Sequence, residues 1–143
     1  MNIKTQLIED MKTAMKAKDT VKLGVIRFLR SEIKNFEIDN GDQDDKGVEK
    51  VISSQAKKIK DALNDFRAAG RNDLVVEEEA KLVILESYLP KQMSDDELRA
   101  IVSKIVDETE DKNMGKLIGA VVKAVDGKAD GGRVSAMVKE KLQ

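Results

Sequence analysis

The chain has 143 residues, with 26 Lys and Arg against 27 Asp and Glu, no His, no Cys, one Pro and only 3% aromatics. That length suits one domain or two small subdomains around a real core. The missing thiols exclude disulfides and thiolate metal sites, and the net charge of −1 gives no global field to draw in nucleic acid or acidic membrane. Plentiful Ala, Leu, Lys and Glu with almost no Pro predict an all-α protein. The first residues, MNIKTQLIEDMKTAMKAKD, are charged every few positions, unlike the apolar centre of a signal peptide. No stretch approaches the roughly 20 apolar residues of a membrane span. A cytoplasmic, membrane-independent protein is expected, with import into an organelle left open.

In chain order, Ile3, Leu7, Met11 and Met15 recur at helical spacing and predict a first helix near 2–17. Asp19 is a suitable N-cap for a second helix with Val25, Ile26, Leu29, Ile33 and Phe36 on one stripe. DNGDQDD at 39–45 reads as a solvated, mobile connector. A third helix carries Ile52, Ala56, Ile59, Leu63 and Phe66, and Gly70 fits the left-handed position just beyond it. Asp73 is expected to cap a fourth helix running through Val75, Leu82, Leu85 and Leu89 to the stop at Pro90.

Ser94 and Glu97 have the spacing of a capping box, opening a fifth helix with Leu98, Ile101, Val102, Ile105 and Val106. The sixth shows Met114, Leu117, Ile118, Val121, Val122 and Val125; the seventh shows Val134, Met137, Val138 and Leu142. The expected architecture is an N-terminal four-helix subdomain, 1–90, followed by a C-terminal three-helix bundle, 94–143.

Catalysis fits these residues poorly. No His serves general acid–base work near neutral pH and no thiol serves as nucleophile. Glu77–Glu79 read as a first-turn acidic cluster complementing a helix dipole. An EF-hand frame starting at Asp42 puts Lys46 fifth and Ser53 twelfth, where calcium requires carboxylate oxygens. Gly115–Lys116 and Gly127–Lys128 lack the following Ser or Thr and the upstream glycine of a phosphate-binding loop. Neither a metal nor a nucleotide cofactor is expected.

Two regions are locally basic: KKIKDALNDFRAAGR, and the last 33 residues, with seven basic side chains against four acidic. Gly115 and Gly119 share a face of the sixth helix, where another backbone could approach closely. The turn Gly127–Arg133 is expected to present amide N–H groups at a helix start beside Lys128 and Arg133, an arrangement that suits phosphate oxygens. Early in the seventh helix only Arg133 and Ser135 offer base-contacting chemistry, so sequence-specific DNA recognition is not expected.

GRNDL, then ILESYLPKQMSDDEL, then NMGKLIGAVVKAVDGKADGGRVSAMVKEKL resemble the GatB/YqeY family, and within it the stand-alone YqeY-like proteins. The likeness extends from about Val48 to the end. The chain departs from the family's usual KQR-DSI run ahead of the glycine-containing corner, reading KKIKDALNDF there. The resemblance implies an all-helical fold with a C-terminal three-helix unit like the tail of the B subunit of glutamine-dependent aminoacyl-tRNA amidotransferase, which contacts tRNA. It implicates Gly115 and Lys116 at the MGK start and Gly127, Lys128 and Ala129 at the corner. Lys123 and Arg133 join them as the neighbouring cations.

Three functions follow as expectations. The first is a non-catalytic tRNA-binding or tRNA-associated helper, with an amidotransferase or synthetase as possible protein partner. The second is a protein-interaction adaptor, which requires an exposed apolar groove among helices one to four. The third is the carbon–nitrogen ligase activity, with glutamine as amido donor, attached to the larger enzyme. The residues present here do not assemble that chemistry.

Overall fold

Side-chain caps fix most of the helix starts. In the computed structural model, which describes residues 1–143, α1 spans Ile3–Ala17, α2 Thr20–Asn40, α3 Asp45–Ala68 and α4 Asn72–Glu86. Further on, α5 spans Asp95–Glu108, α6 Met114–Val125 and α7 Gly131–Leu142. Asn2, Asp19, Asp44, Ser94, Asn113 and Asp130 each accept a backbone N–H three residues on, satisfying a donor that a helix start leaves without an intrahelical partner. No strand is present, and the all-α class holds.

Several local expectations are corrected. Asp73 is not the cap of α4; Arg71 holds that place, and its guanidinium grips Asp73 in the first turn at 3.1 and 3.2 Å. The reason lies in the preceding corner, where Gly70 at φ +70° lets the Arg71 N–H bond back to the Phe66 carbonyl. The chain is thereby already turned for a helix at Asn72. At the other end α4 stops at Glu86, and two tight i to i−3 bonds carry Tyr88 and Leu89 to Pro90. Ser94 makes its half of the capping box, accepting from the Glu97 N–H at 3.2 Å.

The acidic connector is short and tied down. Asp42 accepts from the Lys4 ammonium at 2.6 Å, and Asp44 caps α3. Asp45 accepts the Ile3 N–H, while Glu37 accepts both the Gln43 N–H and Lys4. These carboxylates are committed to partners within the protein itself.

The chain forms two compact units, Met1–Leu89 and Pro90–Gln143. In the first, α1 packs on α2 and α3, and α4 packs on α3 and α2. Its core gathers Leu7, Val25, Ile26, Leu29, Ile33, Val48, Val51, Ile52 and Leu85. The sole buried polar side chain, Gln55, donates to Glu32 at 3.3 Å. Tyr88 closes the end of this unit with a 2.5 Å hydrogen bond to Asp10. In the second unit α5, α6 and α7 each pack on the other two. Leu98, Val102, Val106, Leu117, Val121, Val125, Val134 and Val138 form its core.

Candidate functional site

The corner between α6 and α7 is built from backbone first. Asp126 and Gly127 are both left-handed, at φ +48° and +82°, a conformation that costs glycine little. The Lys128 N–H bonds to the Val125 carbonyl, and the Met93 N–H donates to the Lys128 carbonyl at 2.7 Å. Gln92 donates its side-chain amide to the carbonyls of Pro90 and Gly127. The segment between the two expected subdomains is therefore part of the second unit, strapped across this corner. Ala129 is buried in the core, where a larger side chain would not fit without rearrangement.

Arg133 serves the strap. Its guanidinium donates to the Met93 carbonyl and to Asp95, each at 2.9 Å, leaving the side chain 30% exposed. The start of α7 is not an open row of donors either, because the Asp130 carboxylate accepts the Arg133 N–H at 2.8 Å. An incoming phosphate would compete there with two carboxylates, Asp95 and Asp130. The charge on Arg133 is already engaged inside the protein.

Lys116, at the start of α6, ion-pairs with Asp111 at 2.8 Å, and this lysine together with the Asn113 N–H holds the Asp111 carboxyl below the usual carboxylate range. Lys123 is exposed in the last turn of α6, where a cation complements the helix dipole. Lys128 is the one residue of the corner whose side chain plays no structural part, being exposed and carrying no ion pair. A Cβ at Gly119 would meet nothing, and one at Gly115 would meet only the Asn113 cap. No helix of this unit uses the close approach those glycines permit. The unit as a whole carries ten basic and ten acidic side chains, so Lys128 and Lys123 are a local feature on a neutral body.

A second feature lies in the first unit, where sequence patterning does not single out Val21, Gly24 and Phe28. α2, α3 and α4 enclose a groove of about 710 Å³. Thr20, Val21, Gly24, Val25 and Phe28 form its α2 wall; Gln55, Lys58, Ile59 and Ala62 its α3 wall; Glu77, Glu78, Lys81 and Leu85 its α4 wall. Phe28 is 55% exposed and Val21 47% exposed. The signal present in the sequence is a second apolar stripe on α2, Val21–Val25–Phe28, which shares Val25 with the buried stripe and is masked by it. On the rim Lys81 pairs with Glu78 at 3.0 Å, while Lys58 and Glu77 are exposed and carry no ion pair.

No group of three or more Asp, Glu, His or Cys side chains converges in a way that could hold a metal ion. The fold and its surfaces define a class: a small all-helical protein with a grooved four-helix unit and a three-helix unit carrying an exposed lysine corner. The family is more particular. Residues 4–142 match the model of the Yqey-like proteins, and the chain belongs to that family.

Its curated relatives include three fungal proteins, each named Altered inheritance of mitochondria protein 41, mitochondrial. The one from Lachancea thermotolerans is 35% identical over 127 residues, covering 86% of this chain and 68% of the relative. Those from Clavispora lusitaniae and Meyerozyma guilliermondii are 29% and 30% identical. They cover 82% and 83% of this chain, and 70% and 66% of their own lengths. The chain thus spans about two thirds of these relatives.

Proposed function

We propose that this protein is a non-catalytic adaptor that docks a partner polypeptide on its four-helix unit. One observation carries the reading: Phe28 and Val21 stand half-exposed on the wall of a preformed groove, where folding gains little from them. Apolar side chains on a concave surface favour an apolar occupant, and binding of that kind tolerates salt. The test is a photo-crosslinking amino acid at Val21, compared in cells with one at Ile38, which is 74% exposed and outside the groove. Adducts to another protein at Val21 and not at Ile38 support the adaptor. Absence of any protein adduct at Val21 removes it.

A second reading keeps the tRNA-associated helper suggested by the resemblance to the amidotransferase tail, with an amidotransferase or synthetase as its working partner. It is favoured by Lys128, which the Met93 and Gln92 strap holds at a fixed corner without a counter-charge. It ranks second because Arg133 and the α7 start face carboxylates of their own. Contact would run to phosphates and 2′-hydroxyls rather than base edges. Binding of total tRNA should then fall steeply with salt, and Lys128→Glu should weaken it more than Lys4→Glu. Equal loss at both positions ends this reading. The glutamine-dependent ligase activity has no side-chain constellation behind it.

The compartment follows the relatives. Their names place them in mitochondria, and we propose the mitochondrial interior or the cytoplasm as the working site. No helix is long and apolar enough to cross a membrane.

A further inference from the structure

Resting on the adaptor reading, we infer that the occupant of the groove is a single amphipathic α-helix of another protein, carrying opposite charge towards its two ends. The length of the groove fits such an occupant. Its α2 wall runs from Thr20 to Phe28 and its α3 wall from Gln55 to Ala62. Each is two helical turns, about 10 Å at the usual rise per residue, the distance over which a docked helix presents anchors at i, i+3 or i+4, and i+7.

Gly24 points the same way. A glycine in a helix interior costs roughly 1 kcal/mol relative to alanine, and nothing inside this fold requires it. Its φ is negative, and a Cβ there would project into open space. The missing side chain therefore lies between Val21 and Phe28 as a notch in the groove wall, which lets a bulky side chain or a second backbone come close.

Charge sets the ends. The α2 wall carries no ionisable group; the polar rim belongs to α3 and α4. There Lys81 and Glu78 neutralise each other, leaving a cation at Lys58 and an anion at Glu77. A ligand with one anionic head would satisfy Lys58 and be repelled by Glu77. The pairs Lys60–Glu86 and Arg67–Glu79 run α3 and α4 antiparallel and set Lys58 and Glu77 towards opposite ends of the groove, so a helix with an acidic residue near the Lys58 end and a basic residue near the Glu77 end satisfies both.

The probe is a fluorescein-labelled 16-residue peptide, held helical by a side-chain staple, with leucines at positions 4, 8 and 11. Glutamates stand near one end of the apolar stripe and lysines near the other. Expected is saturable binding to the full chain that falls at least tenfold in Gly24→Leu, which fills the notch, and in Phe28→Asp. Val83→Asp, on α4 and away from the groove lining, should leave it unchanged, and circular dichroism checks each variant's fold. Lys58→Glu should weaken the peptide several-fold and strengthen its charge-reversed counterpart.

Equal binding by a scrambled peptide, by an unstapled proline-containing peptide or by Gly24→Leu overturns the helical occupant, as does failure of the stapled peptide to bind. Protein adducts at Val21 together with a failed stapled peptide sink this inference and spare the adaptor. Absence of adducts sinks the adaptor itself.

Discussion

Arg133 and Lys128 lie five residues apart in one basic corner, yet they do different things there. Arg133 joins the Met93 carbonyl and Asp95 to the start of α7, so Arg133→Ala should cost about 1 kcal/mol, a partly exposed charged hydrogen bond's worth. Lys128→Ala removes no structural bond and should leave stability within about 0.5 kcal/mol. Urea unfolding followed through the second unit checks both; a large loss at Lys128 would mean its side chain holds the corner. Tyr88 gives a pH-dependent case. Burial, and secondly the hydrogen bond to Asp10, push its phenol well above the ordinary value. The folded state therefore keeps this proton after the unfolded chain has lost it, and stability falls as pH rises through about 10. Tyr88→Phe lacks the proton, so the stability gap between wild type and variant should narrow between pH 9 and 11. A gap that stays constant would show that the phenol ionises alike in both states.

Element by element, helix existence was legible because apolar residues recur at three and four, and because Asp19, Gly70 and Ser94 are strong boundary signals. The start of α4 escaped because the backbone bond from Arg71 to Phe66 settles it, and no side-chain pattern encodes that bond. The α2 groove wall was hidden for a different reason: one helix carries two apolar stripes, and the buried one explains most of the same residues. Glycines separate structural from unused positions. Gly24 and Gly119 are helical with room for a Cβ, so Gly24→Ala and Gly119→Ala should each raise stability by about 0.5–1 kcal/mol. Gly127 sits at φ +82°, and Gly127→Ala should lower it by about 1 kcal/mol. Thermal unfolding distinguishes the signs. Destabilisation by Gly24→Ala would mean the notch is needed by the fold and would weaken its assignment to a partner.

At the scale of the whole molecule, near-zero net charge means that neither unit recruits a partner by long-range field, and recognition must rest on local shape. Equal numbers of basic and acidic side chains in the second unit make this concrete: only cations without a counter-charge, such as Lys128, can contribute to a salt-dependent contact. Two separate cores set the energetics. Ile26 and Val121 are both fully buried, one in each cluster. A large-to-small change at such a site costs about 2–5 kcal/mol for isoleucine and less for valine, through lost transfer energy and the cavity left behind. Small three-helix units have little stability in reserve, so Val121→Ala should open α5, α6 and α7 to amide exchange. Ile26→Ala should instead accelerate exchange in α1 to α4. Because each substitution acts through the core it belongs to, protection in the other unit should stay near wild type. Uniform loss across all seven helices, from either variant, would mean that the chain unfolds as one cooperative body and that the two cores are energetically one.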